Sequence, residues 1–223
     1  MHASLKKAGI IACLFVCVGC AEVAIMSVTP MVAAIARHFD QGTAKVIYEL
    51  EQKRDWAGML ALANAQLQVA PDRPAWWVLQ GYALARQGEH AAAVDSYKRA
   101  LRLSPEDENS WLALGQSQSE LGRYDEAAQT YRQALRYRPE SAQAYLALAE
   151  LYMRQGQAER ALPNFREAVR YEAELEEGWQ GLATAYHATG RTDRRDEALM
   201  ALRKLNPAAA ERLERQFSSK SPR

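Results

Sequence analysis

Cysteine is almost absent. The chain of 223 residues has three, Cys13, Cys17 and Cys20, all among its first twenty residues. The remainder carries no thiol, which suits an oxidising compartment where stray thiols are a liability; the general rarity of cysteine explains the same fact equally well. The four histidines, His2, His38, His90 and His187, are scattered without the spacing of metal ligands, so no metal or other cofactor is expected. An excess of one charge is also missing. The net charge is +1, which argues against a strong field directed at nucleic acid. No glycine-rich phosphate loop, no pair of acids at a catalytic spacing and no nucleophile beside a base occurs, so no enzyme is expected. What is present is ordinary globular composition, 48% hydrophobic and 25% charged.

The first forty residues differ from the rest. Lys6 and Lys7 precede an uncharged run from Ala8 to Gly19, the form of an export signal. Val18-Gly19-Cys20-Ala21 follows and resembles a bacterial lipobox, with a small residue before a cysteine that is lipidated and becomes the mature N-terminus. Gly19 and Cys20 match that pattern, whereas Cys17 stands where leucine is usual. The absence of Asp after Cys20 implies, by the same resemblance, the outer membrane of a Gram-negative cell, facing the periplasm. An uncleaved anchor competes with this reading, because Ala8 to Val28 supplies the roughly 20 mostly apolar residues of a membrane span. Simple cleavage is the third form of export. Residues 1–19 are thus expected to be signal or anchor, and 20–39 a linker.

From Asp40 the text repeats. Units begin at Asp40, Pro74, Glu108, Ala142 and Glu176, without gaps. Their fourth places, after the first unit, are Trp77, Trp111, Tyr145 and Trp179; their eighth are Gly81, Gly115, Ala149 and Ala183. Gly88, Gly122, Gly156 and Gly190 mark turns, followed by Ala93, Ala127 and Ala161, then Tyr97, Tyr131, Phe165 and Leu199. Pro71, Pro105, Pro139 and Pro207 close units. Each unit reads as two helices, about Ala75 to Arg86 and His90 to Leu103 in the second unit, with apolar residues at helical spacing. Small residues let the paired axes approach, the tyrosine fills the gap, and proline stops the second helix. This pattern resembles the tetratricopeptide repeat (TPR) family, whose period is 34 residues. The resemblance covers 40–206 and implies an all-α solenoid of helix-turn-helix units, which must stack because one unit cannot bury its apolar face alone.

The ends depart from the pattern. Unit one has Met59 and Ala63 at signature places, with Trp56 as the expected substitute for the missing aromatic. Unit five has Arg195 where a small residue belongs, so its second helix is expected to splay, with Asp193, Arg194, Arg195 and Asp196 solvated. Pro163 is expected in or near the first turn of its helix, where a missing N–H costs little. Residues 207–223 read as a capping helix with Ala209, Leu213 and Phe217 on one stripe, then a frayed tail. Lys98, Arg99, Arg102, Arg132, Arg136, Arg138, Arg166 and Arg170 interleave with acids and read as a solvated outer face, so no nucleic acid is expected.

The TPR resemblance also implies where function lies, since members of the family line a concave groove with their first helices. Carried over place by place, that groove comprises Tyr48, Val78, Leu79 and Tyr82, then Asn109, Leu112, Ala113 and Gln116, then Gln143, Leu146, Ala147 and Glu150. Further along, Gln180, Gly181 and His187 occupy equivalent places. Leu112 and Leu146 stand where one TPR subtype uses lysine to clamp a C-terminal carboxylate, so this chain is not expected to bind such tails. An apolar floor with polar rims suits an extended segment or amphipathic helix of a protein partner. The expected function is an exported, membrane-tethered scaffold that helps assemble an envelope complex of pilus, secretion or cytochrome c maturation type. The alternatives are a periplasmic glycan- or peptidoglycan-binding accessory using Tyr48 and Tyr82, and a cytosolic adaptor.

Overall fold

The computed structural model describes residues 30–219. The signal or anchor expected over 1–19 and the lipidation expected at Cys20 lie outside these residues. Among the described residues the structure is all helix: α1 (Pro30–Ala36), α2 (Gln41–Gln52), α3 (Trp56–Val69), α4 (Pro74–Arg86), α5 (His90–Leu103), α6 (Glu108–Glu120), α7 (Tyr124–Tyr137), α8 (Ala142–Arg154), α9 (Ala158–Tyr171), α10 (Glu176–Ala188), α11 (Thr192–Leu205) and α12 (Pro207–Ser219). None of these helices is long and apolar enough to cross a membrane. The pairs α2/α3 to α10/α11 are the five units expected, and each packs chiefly on its neighbours in sequence.

The turn within each later unit depends on backbone that only glycine adopts freely. Gly88, Gly122, Gly156 and Gly190 have φ between 70° and 83°. Arg54 occupies the same place in unit one and is held at φ 53°. Across the paired helices the spacing is set by a ring on a bare backbone. A Cβ added to Gly81 would lie 2.9 Å from the Tyr97 ring, and one on Gly115 would collide with Tyr131. In unit four Ala149 carries the Cβ that Gly81 and Gly115 lack, and Phe165 instead lies against Gly181 of the next unit. Gly181 therefore receives a core ring and is not free groove lining.

Apart from a small cluster of Leu202, Ala209 and Ala210 under the cap, the core falls into two clusters. One runs from α1 to Leu114 on α6, the other from Ala127 on α7 to Phe217 on α12. Between them unit three buries polar side chains, Ser110, Ser117, Gln118, Ser119 and Thr130. Most of their hydrogen bonds are local: Thr130 donates to Gln118 at 2.6 Å, Ser117 donates to the Ala113 carbonyl at 2.9 Å, and Ser110 donates to Asp107 just before the unit. Gln118 takes the place held by Leu84, Tyr152 and Tyr186 in the other units.

At the N-terminal end part of the expected linker is a packed helix. Val32 and Ile35 of α1 are buried with Ile47, Trp76 and Leu79. The cause is at the third place of unit two. Later units have Ser110, Ala144 and Gly178 there, all buried. The space is so tight that a Cβ on Gly178 would lie 2.7 Å from Val169 of the preceding helix. Trp76 does not fit such a space, so unit one docks differently, and Phe39 packs on the indole at 4.2 Å between ring centroids. Met59 and Ala63 are fully buried, and Trp56 packs edge-on against Tyr82 at 6.2 Å, which makes it the aromatic of this unit.

At the other end α12 caps the array. Asn206 accepts from the Ala209 N–H at 3.0 Å and Pro207 opens the helix, while Ala209 and Phe217 are buried. Arg195 corrects the expectation for unit five. Asp193, Arg194 and Asp196 are exposed, but Arg195 is half-buried, lies 5.9 Å over the Phe217 ring and pairs with Asp196, and α11 forms over all 14 residues. The long side chain covers the cap instead of forcing the crossing apart. Pro163 lies just past the first turn: α9 begins at Ala158, which puts Pro163 at the start of the second turn, on the exposed side.

The Arg54 backbone yields a direct test. Arg54→Gly removes left-handed strain at an exposed turn and is expected to raise stability by about 1 kcal/mol, read by urea denaturation. An unchanged or lowered midpoint would show that the turn in unit one is not strained.

Candidate partner-binding groove

The first helices of units three and four, α6 and α8, are held in register from both ends. Asp107 accepts from the Ser110 N–H at 3.1 Å and starts α6, and Ser141 accepts from the Ala144 N–H at 2.9 Å and starts α8. Glu108, in the first turn of α6, then joins the two starts. It pairs with Arg138 at 2.5 Å and accepts a hydrogen bond from the Ser141 hydroxyl. At their other ends Glu120 pairs with Arg154 at 2.8 Å. Between these ties lies an open pocket of about 230 Å³.

Most of the expected groove residues of units three and four bear directly on this pocket. Leu112, Leu146 and Ala147 form the apolar floor, and Gln116, Gln143 and Glu150 form the rim. Leu112 and Ala147 are half-buried, Leu146 is buried, and the two glutamines are exposed. Asn109 lies in a neighbouring pocket of about 240 Å³ that also touches α1, and Ala113 is half-buried against the N-terminal core cluster. Burial is the largest influence on the Glu150 carboxyl and holds it above the usual carboxylate range; Arg154 opposes this and Glu177 adds to it. Tyr131 and Leu151 also line the pocket. Tyr131 reads in sequence only as a packing residue, and nothing in the pattern signals that its edge reaches the groove.

The first part of the expected groove is largely covered. Val78, Leu79 and Tyr82 are buried, and α1 lies against α4, leaving only the pocket of about 240 Å³ that Ala75 and Val78 border together with α1 and Asn109. The Tyr82 hydroxyl is spent on the buried Glu51 carboxylate of α2, 3.0 Å away. Tyr48 is half-buried against the same cluster. Leu79 and Tyr82 are thus interior, whereas Val78 still borders the pocket beside α1 and Tyr48 keeps part of its surface. Further along, His187 stacks on Phe217 of the cap at 4.2 Å.

The signature tryptophans are only half-buried. The indole N–H groups of Trp77, Trp111 and Trp179 donate to the carbonyls of Pro71, Pro105 and Ala173 at 2.7, 2.7 and 2.8 Å, so each ties its helix to the preceding loop. Among the described residues no group of three or more His, Cys, Asp or Glu is placed to hold a metal ion.

Two family models for tetratricopeptide repeats match the sequence, one over residues 112–174 and 146–194 and the other over 81–122. Together they reach from 81 to 194, about half of the chain. This is a tetratricopeptide repeat protein. The TPR array is similar in fold to solved structures at low identity. MamA from Desulfovibrio magneticus RS-1, residues 41 to the end, aligns with TM-score 0.60 and 19% identity over 87% of this chain and 100% of that one. The thermophilic TPR protein TTC0263 of Thermus thermophilus aligns at 0.60 and 18%, over 77% and 93%. YrrB, described as a TPR protein with an unusual peptide-binding site, aligns at 0.60 and 15%, over 84% and 98%. No curated protein sequence matches the chain.

The closed end predicts a separation of stability from binding. Tyr82→Phe removes the donor to the buried Glu51 carboxylate and is expected to cost about 1.5–3 kcal/mol in urea denaturation. Partner capture by the folded variant is expected to be unchanged. Loss of capture without loss of stability would place Tyr82 back in the binding surface.

Proposed function

We propose that this TPR array is an exported, membrane-tethered scaffold that holds a segment of a protein partner between α6 and α8. In this reading it faces the periplasm and supports assembly of an envelope complex of pilus, secretion or cytochrome c maturation type. The observation that carries the reading is the open pocket on Leu112, Leu146 and Ala147, bounded by amide rims and held at both ends. An apolar floor that remains uncovered while the rest of the array packs tightly suits a partner's side chains. The peptide-binding site named for YrrB gives the same architecture a precedent for such use. Export rests on Lys6, Lys7, the apolar run from Ala8 and the lipobox-like Cys20. The glycan-binding alternative has less support, because Tyr82 is buried and Tyr48 is half-buried.

Two measurements test this. Crosslinked capture from membranes is compared between the native chain and a Leu112→Glu, Gln116→Arg variant, with circular dichroism confirming that both fold. Leu146 is unsuitable because it is buried. The expected result is a partner lost in the variant alone; an unchanged partner list would move binding off this face. Separately, metabolic lipid labelling is expected to depend on Cys20, with no label in Cys20→Ser. Label retained in that variant would exclude lipidation at Cys20, and a freely cytosolic native chain would favour the adaptor reading.

A further inference from the structure

The charge around the pocket narrows the kind of segment that fits it. The groove face of units three to five carries three carboxylates, Glu120, Glu150 and Glu177, against one guanidinium, Arg154. Arg154 is committed to Glu120 at 2.8 Å. Glu150 lines the pocket on α8, and Glu177 lies in the first turn of α10, which packs on α8 and brings its negative charge to bear on Glu150; no salt bridge of the described residues includes either. The helix face from α6 to α10 thus has an apolar floor bordered by more carboxylates than the single Arg154 offsets, with neither Glu150 nor Glu177 in a salt bridge.

The adjoining stretch of the same face shows how this fold covers such a floor. There α1, an uncharged helix, lays Val32 and Ile35 onto the apolar residues of unit two. Past Asn109 the floor continues through Leu112 to Leu146 and Ala147 with no described residue over it. The covered part meets an apolar segment. The open part meets the same need at its floor and an added need for positive charge at its Glu150 edge.

We propose that the open groove takes a cationic amphipathic segment of a protein partner, with apolar side chains on Leu112, Leu146 and Ala147 and a lysine or arginine between Glu150 and Glu177. The inference rests on the groove reading above. It specifies the partner by chemistry: the exposed amides of Gln116 and Gln143 suit either an extended backbone or a helix flank, whereas the two carboxylates admit only a cation. Recognition at this edge is solvent-facing and falls as salt rises.

The test is a display library of random twelve-residue peptides, selected at low and at physiological salt on the full chain in detergent micelles. Parallel selections use Glu150→Gln/Glu177→Gln and Leu112→Glu. The expected outcome is a set of clones whose binding needs Leu112 and which are enriched in lysine and arginine beside apolar residues. Their affinity is expected to fall about tenfold in the double glutamine variant at low salt. A third selection on Glu150→Arg/Glu177→Arg is expected to shift the enrichment to aspartate and glutamate. Clones that need Leu112 but show no cationic bias, or keep it in the double glutamine variant, would overturn this proposal and leave the groove reading standing. Clones that bind equally to Leu112→Glu would overturn both.

Discussion

A ring laid against a backbone with no Cβ is the contact on which the rest of this structure depends. Tyr97 on Gly81 and Tyr131 on Gly115 set how closely the two helices of a unit approach. That distance determines how far the next unit is displaced, and so how the first helices line up along one face. Dispersion falls steeply with separation, so an added methyl displaces the ring instead of being absorbed. Unit four shows the alternative solution. Ala149 has the Cβ, and Phe165 finds its bare backbone on Gly181, one unit along. The same packing requirement is met between units there and within them elsewhere.

The array is uniform in outline and uneven in substance. Unit three has the most regular signature of all, yet its interior holds Gln118 bonded to Thr130 and three buried serines, and the apolar core divides there. In a stack whose stability is close to a sum of units and their interfaces, such a layer weakens the link between the two halves. The groove lies across this junction, bounded by α6 from unit three and α8 from unit four. Ion pairs at both ends of these helices compensate for the polar interior by holding the two in register. Their individual contributions are modest at a solvated surface, but they act where the core contributes least.

The N-terminal end shows how one residue redirects a repeat. Trp76 stands where later units have serine, alanine or glycine against the preceding helix. Unit one therefore swings into a different docking, with Phe39, Val32 and Ile35 filling the space beside the indole. The consequence is functional, because α1 narrows the groove over unit two to the pocket between Val78 and Asn109, and among the described residues the face beyond Asn109 is left open. A repeat array with a symmetric signature thus has an asymmetric surface. At the opposite end Arg195 plays a milder version of the same part, its stem covering the cap while its charge stays with Asp196.

The sequence alone determined the helices, their order and their pairing. Helix boundaries at Arg86, His90 and Leu103, the turns at the four glycines and the cap after Asn206 follow from local chemistry: backbone dihedrals, proline exclusion and apolar period. The outward arginines of the second helices were legible for the same reason, and all of them are exposed. Which groove places are open was decided only by the tertiary structure. Leu79 and Leu112 occupy different places on closely similar helices, and by the family pattern both should line the groove. Leu79 is buried and Leu112 meets the pocket because Leu79 joins the cluster of Trp76 and α1, while no described residue covers Leu112. The closeness of Glu150 to Glu177 belongs to the same category, since they are distant in sequence and adjacent only once α8 and α10 stack. Repeat periodicity specifies a residue's place within its unit, whereas accessibility depends on what neighbouring units and the chain ends bring over that place.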